Sequence, residues 1–249
     1  MSDNSACKVY VVVSGKGGAG KSTVTCGLGG AFADKGYKTL LIDADEGLRC
    51  LDLMLGVAAE VVFDTGDLLN NRCDLADALK SIPGVPNLDL LPAPAEHGVV
   101  GEGLAQLTEF LRTRYDRIII DSTAGVGDGF KAAVASADAA IVVVGSDPVS
   151  IRDARNVCQL LDDAGMMSRR MIINRYDYKA MKQSLTPHID KMIDTTALRL
   201  IGIVPYDRAL TVSAIKGSLA RRGKAKRAFA RIANRLCGKN VKLPKLKRI

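Results

Sequence analysis

The chain has 249 residues, 47% of them apolar, enough to fill the core of one large α/β domain. No apolar run approaches the roughly 20 residues that cross a bilayer, and Met1-Ser2-Asp3-Asn4-Ser5 lacks the basic-then-apolar layout of a leader, so a cytoplasmic address is predicted. Charge is unevenly divided: residues 208–249 hold 14 Lys and Arg with no Asp or Glu, which turns a net of −6 over residues 1–207 into +8 for the whole chain. Such asymmetry points to an anionic surface as partner, membrane or nucleic acid. Six cysteines without a C-x-x-C pair, and only two histidines, argue against a zinc site or a disulfide framework.

The first predicted strand, 9–13, runs into Ser14-Gly15-Lys16-Gly17-Gly18-Ala19-Gly20-Lys21-Ser22-Thr23, and a helical period follows over 22–33. The run fits G-x-x-x-x-G-K-[ST] in its required strand-then-helix context and carries one lysine more than the pattern needs. Glycines let successive backbone N–H groups wrap a phosphate, and the helix opening behind them presents its positive end to the anion. Gly15 through Thr23 are therefore the predicted nucleotide cradle, with Lys21 on the β- and γ-phosphates and the Ser22 hydroxyl on Mg²⁺.

A second strand at 39–42 ends on Asp43-Ala44-Asp45, two carboxylates placed to face the triphosphate, one toward the metal and one toward the attacking water. After a third strand at 88–91 and a helix at 104–113, the fourth strand, 117–120, closes on Asp121 in the manner of a Walker B element, predicted to hold Mg²⁺ through a bound water. Helical periods at 129–136 and 150–164 flank a strand at 139–144, and strands at 171–173 and 200–204 lead to Asn174 and Pro205. Near-continuous Val/Ile runs mark strands buried on both faces, hence a mainly parallel sheet with helices on each side. Five strand ends then bring their chemistry to the carboxyl edge, where such sheets bind ligands. The stripe Ala225, Ala228 or Phe229, Ile232 and Leu236 predicts a last helix packed on that sheet.

Lys16-Gly17-Gly18-Ala19-Gly20-Lys21-Ser22 matches K-G-G-x-G-K-[ST], and on it the chain resembles the MinD/ParA group of deviant Walker A P-loop ATPases. Over most of the chain the resemblance narrows to the MinD branch: Gly47-Leu48-Arg49-x-Leu51-Asp52-Leu53 looks like G-L-R-N-L-D-L, Asp121-Ser122-Thr123-Ala124-Gly125 like D-S-P-A-G, and Gly202-Ile203-Val204-Pro205-Tyr206-Asp207 like G-V-I-P-E-D. The segment from Pro148 to Asp153 is similar to the one that follows the fifth strand there. The resemblance implies an ATP hydrolase that forms a homodimer with ATP, Lys16 of each subunit reaching the nucleotide of the other. It further implies Lys21 on its own subunit's phosphates, Asp45 orienting the water, Asp43 and Asp121 supporting Mg²⁺, and Asn174 with Pro205 bordering adenine. MinC-like and MinE-like partners, reversible attachment to the inner face of the membrane and a role in placing the division septum follow in the same way. Glu46 and Thr123 depart from the branch's usual residues.

The expected organisation is one ATPase domain, 1–238, and a basic tail, 239–249, in which Val241, Leu243, Leu246 and Ile249 lie among five basic residues around Pro244. A central proline makes this a poor helix, so membrane contact by charge is the leading expectation. The alternatives are a ParA-like partition ATPase on nonspecific DNA, suggested by the basic C-terminal residues, and an FlhG-like regulator of flagellar number. Against the latter, the N-terminus leaves no room for a D-Q-A-x-x-L-R element. An iron–sulfur carrier of the same fold lacks its C-x-x-C pair, and a metabolic kinase would not need Lys16.

Overall fold

The computed structural model describes residues 7–95, 101, 103–123, 125 and 127–248. Among them, strands β1 (Lys8–Val13), β2 (Thr39–Asp43), β3 (Lys80–Ser81), β4 (Leu88–Leu91), β5 (Arg117–Asp121), β6 (Ala139–Gly145), β7 (Arg169–Tyr176) and β8 (Leu200–Pro205) form one sheet. Its order is β3-β4-β2-β5-β1-β6-β7-β8, with every pairing parallel except β3 with β4. Strand β1, which leads into the glycine-rich loop, thus sits in the interior of the sheet between β5 and β6.

The two-residue period of a strand sends alternate side chains to opposite faces. Val9, Val11, Val13, Ile118, Ile120 and Val142 join one core, covered by α5 (Gly103–Leu111), α6 (Asp128–Ala135), α7 (Pro148–Asp163) and α9 (Ile189–Thr196). Tyr10, Val12, Leu41, Ile119 and Ile141 join the other, covered by α1 (Lys21–Ala33), α2 (Leu51–Leu55) and α11 (Lys224–Leu236). The remaining helices are α3 (Thr65–Leu69), α4 (Leu75–Ala78), α8 (Tyr178–Lys182) and α10 (Arg208–Ile215).

All seven expected strands are present, and the four expected helical periods are α1, α5, α6 and α7 with ends shifted by one or two residues. Strand β3, with two residues, shows no alternation, and the short helices of four to eight residues complete too few turns for a period to be read. Local capping holds several of them instead: Asp64 accepts from the N–H groups of Gly66 and Asp67 at 2.8 and 3.2 Å to open α3, Asp67 returning a bond to the Asp64 N–H.

Helix α11 is the predicted stripe, with Ala225, Ala228, Phe229, Ile232 and Ala233 buried against β8 and α1. Two glycines admit it: a Cβ on Gly202 would overlap Ile232, and one on Gly27 would overlap Phe229. Beyond it the basic tail is not extended into solvent. Arg235 donates to the carbonyls of Val241 and Ile201 at 2.6 and 2.8 Å, and Lys242, Leu243 and Pro244 lie beside Ile201 to Ile203. Leu246 then packs against the opposite core, so the tail crosses the outer edge of β8, where an open ladder would otherwise invite another strand.

At the amino edge of the sheet Asp138 fixes the start of β1. It accepts from the Val9 N–H at 2.8 Å and from both terminal nitrogens of Arg112 at 3.0 Å each. Partial burial pushes its carboxyl upward, but the bonds from Arg112 and Val9 and the charges of Arg112 and Lys8 outweigh that and hold it below its ordinary value.

Two outcomes are expected. Gly202→Ala destabilises the fold by about 1–3 kcal/mol through overpacking, and adding Ile232→Val recovers part of the loss in urea unfolding. Asp138→Asn costs about 1–3 kcal/mol at neutral pH. A carboxyl depressed by folding contributes stability above its unfolded pKa and loses it as pH falls through the folded one, so the gap between Asp138→Asn and the parent closes on acidification below 3.8.

Candidate functional site

The loop between β1 and α1 is held open by its own backbone. Gly18 and Gly20 take φ of +77° and +95°, which L side chains avoid. A Cβ on Gly17 or Gly18 would point into open space, the volume a phosphate needs, whereas a Cβ on Gly15 would overlap the Asp153 backbone of α7 and one on Gly20 the Asn174 amide. The loop is thus gripped from two sides. Asn174, at 1% exposure, donates to the Ala19 carbonyl at 2.9 Å, and the Ser14 hydroxyl donates to the Lys16 carbonyl at 3.0 Å.

The two loop lysines differ in placement. Lys21, first residue of α1, is buried at 7% exposure. Lys16 is half-exposed, and its ammonium lies 3.2 Å from Asp147 Oδ1. Asp147 is also the cap of α7, accepting from the Ser150 N–H at 2.9 Å. Burial raises its carboxyl, but the bonds from Ser150 and Lys16 and the Lys16 charge bring it below its ordinary value.

Behind Lys21, Asp43 and Asp121 stand in register on the adjacent strands β2 and β5, at 1% and 0% exposure. Burial raises both carboxyls. For Asp43 the charge of Asp121 adds to this, opposed by N–H groups of Leu51 at 3.1 Å and Asp45 at 3.0 Å, bonds that also pin the intervening loop. For Asp121 the Lys21 charge and the hydroxyls of Ser22 and Thr25 oppose it. Thr25 makes a 3.1 Å bond to Oδ1, and Oδ2 stays buried without a hydrogen-bond partner. A buried, unsatisfied carboxylate oxygen next to a half-buried hydroxyl fits a hard divalent cation that keeps most of its waters.

Asp45 is buried at 8% exposure on the loop that Asp43 pins, with Glu46 half-buried beside it. The Asp45 carbonyl accepts from the N–H groups of Leu48 and Arg49, closing a turn in which Gly47 and Arg49 take φ of +79° and +41°. Arg49 then reaches Asp52 at 3.3 Å and Asp64 at 4.0 Å. Ser22 and Thr23 occupy the first turn of α1, and Asn174 and buried Pro205 lie toward the same ends of neighbouring β7 and β8.

Every predicted site residue therefore lies at the carboxyl edge of the sheet. Sequence reasoning missed three supports. Thr25 was legible as the residue one helical turn beyond Ser22; Asp147 was legible as an N-cap before Pro148. The grip of Asn174 on the loop had no local signal.

Three comparisons say what the chain is similar to. The model of the CobQ/CobB/MinD/ParA nucleotide-binding domain matches residues 10–220. The septum site-determining protein MinD of Synechocystis is 38% identical over 241 residues, spanning 94% of this chain and 91% of that protein. Among solved structures, the MinC:MinD cell division complex of Aquifex aeolicus is similar with a TM-score of 0.90 at 35% identity, covering 96% of this chain and 99% of that one. The Pyrococcus horikoshii MinD in complex with Mg-ADP is similar at a TM-score of 0.83 and 28% identity, over 92% and 96% of the two chains. The chain belongs to the CobQ/CobB/MinD/ParA nucleotide-binding family, in its MinD branch of septum site-determining proteins, and is a MinD-like cell-division ATPase.

Proposed function

We propose that this ATPase depends on Mg²⁺, pairs into a homodimer when it holds ATP, and works as a reversible membrane-associated switch in placing the division septum. The observation that carries this reading is the contrast between the two loop lysines. Lys21 is buried beside Asp121, where it meets only its own subunit's nucleotide, whereas Lys16 stands half-exposed at the loop's mouth on a surface pair with Asp147. An exposed pair of this kind is worth about 0–1 kcal/mol, a weak hold that a phosphate on a facing subunit readily replaces.

Within one subunit the N–H groups of Gly15 to Thr23 cradle the phosphates, and Lys21 neutralises the β- and γ-oxygens. Ser22 and Asp121 would hold Mg²⁺, with Asp43 behind them; the ion, when bound, offsets negative charge on the phosphate oxygens. Asp45 orients the attacking water, and Asn174 with Pro205 borders the adenine. The facing Lys16 stabilises charge that develops in transfer, and dimerisation excludes bulk water around it.

The Aquifex relative was solved with MinC, and a MinC-like partner together with a MinE-like activator is proposed here. No helix among the described residues is long and apolar enough to cross a membrane. The proposed contact is therefore made by charge, each Lys or Arg of residues 208–249 gaining about 1 kcal/mol at an anionic leaflet and dimerisation doubling the set.

Lys16→Ala is expected to abolish ATP-driven dimerisation in sizing chromatography and to lower turnover at least about 1,000-fold, on the scale of a trans-acting cation. Asp45→Ala is expected to keep ATP binding and a persistent dimer while hydrolysis falls by about 100-fold or more; parental turnover would remove Asp45 from this role. On anionic liposomes the full chain should sediment with ATP and not with ADP, and a chain ending at Gly238 that keeps its melting temperature should not sediment. ATP-dependent binding to duplex DNA that weakens steeply with salt, without liposome binding, would favour the partition reading instead.

A further inference from the structure

Alongside α1, from Thr23 in its first turn to Asp34 just past its last, runs a cavity of about 330 Å³. At the helical rise this is a slot ~17 Å long, and its volume lies at the low end for small-molecule sites, about 300–1,000 Å³. It is distinct from the expected base-binding corner, since neither Asn174 nor Pro205 lines it. Its inner end is nevertheless Thr23, next in sequence to Ser22.

The slot exists because α1 is thin where other helices approach. Gly27 and Gly30 line it, and their missing Cβ atoms let Phe229 and Leu219, which also line the slot, close directly onto the helix. Met54 and Leu210 complete an apolar wall, and α10, which has no buried residue, forms its roof. A helix that meets the core only through the partly buried Leu210 has less to lose than a buried one by moving aside for an occupant.

The charged groups gather at the far end and are mostly basic. Lys35, Arg221 and Lys226 line the slot there with a single carboxylate, Asp34. Lys226 pairs with Asp34 at 3.0 Å. The other two cations meet neutral oxygens: Lys35 donates to the Asn234 side chain at 2.6 Å, and Arg221 to the Gly84 carbonyl at 3.1 Å. A long apolar slot ending in two cations without an acidic partner among the described residues matches one kind of molecule, an unbranched alkyl chain with one terminal anion.

We propose that this slot is a second ligand site that takes a medium-chain fatty acid, its alkyl chain lying along α1 toward Thr23 and its carboxylate between Lys35 and Arg221. The ligand would abut the first turn of the phosphate-binding helix without entering the phosphate cradle, so it is placed to regulate rather than to replace the nucleotide.

The test uses the full chain and a dansyl-labelled fatty acid, below micelle concentrations, with decanoate, decanol and decyltrimethylammonium as competitors. The expected result is saturable one-to-one binding in which decanoate competes at least about tenfold better than decanol and the cationic analogue does not compete. Ala214→Phe, which puts a ring into the slot from α10, should weaken decanoate at least about tenfold while ATP turnover stays within about twofold and the melting temperature holds; Ser213→Phe serves if that variant fails to fold. Arg221→Gln combined with Lys35→Gln should bring decanoate down to the level of decanol. Absence of saturable binding, equal competition by decanol, or decanoate affinity unchanged in a folded slot-filling variant would each overturn the proposal.

Discussion

Two carboxylates buried side by side at the end of an apolar sheet are the constraint around which this molecule is organised. Asp43 and Asp121 are almost fully withdrawn from water and sit in register on neighbouring strands. An ionised carboxylate tolerates such a place only when other groups replace its hydration. Lys21, two hydroxyls of α1 and two backbone N–H groups of the Asp45 loop do so in part. The strand order follows from the same need: with β1 next to β5, the helix that leaves β1 sets its first turn beside Asp121. Cation, hydroxyl and carboxylate then meet without any long loop to order.

The phosphate loop has a second constraint, that its N–H groups stay bare while its shape stays fixed. Apart from the Ser14 hydroxyl, side chains of its own do little to brace it, because glycine is required at the positive φ positions. The bracing comes from outside, from the Asp153 backbone of α7 and the Asn174 amide of β7, each so close that a single methyl on the loop would collide with it. Lys16, Asp147 and the cap of α7 extend this contact to the surface. The loop and α7 therefore behave as one unit, and a cation exchanged at Lys16 is felt at the start of a sixteen-residue helix.

Much of this was legible in the sequence because the strongest signals are local. Val9–Val13, Leu40–Ile42 and Ile118–Ile120 announce strands buried on both faces, and the Lys21, Asp43 and Asp121 chemistry follows them in plain order. What escaped was either too short or too distributed. Helices such as α2 and α3 rest on one cap or one pinned N–H, with no period to read. The Asn174 bond to Ala19 joins residues 155 positions apart. The slot along α1 is a sum of small residues from several elements, none of which means anything alone. The tail read as a segment for membrane contact by charge; its passage across β8 depends on an Arg235 donor pair that no charge count distinguishes from the other basic groups.

The overlap of Phe229 with the place where a Gly27 Cβ would stand has a reach beyond packing. Helix α1 is a stiff rod whose first turn leaves the glycine-rich loop and whose middle receives a ring from α11, ~10 Å away along the axis. Helix α11 in turn bears Lys224, Arg227, Arg231 and Arg235. The anion-binding end and the cationic surface are thus two fittings on a single shaft, joined by a ring in a notch, and an exchange at position 27 or 229 is a change to the nucleotide loop at one remove.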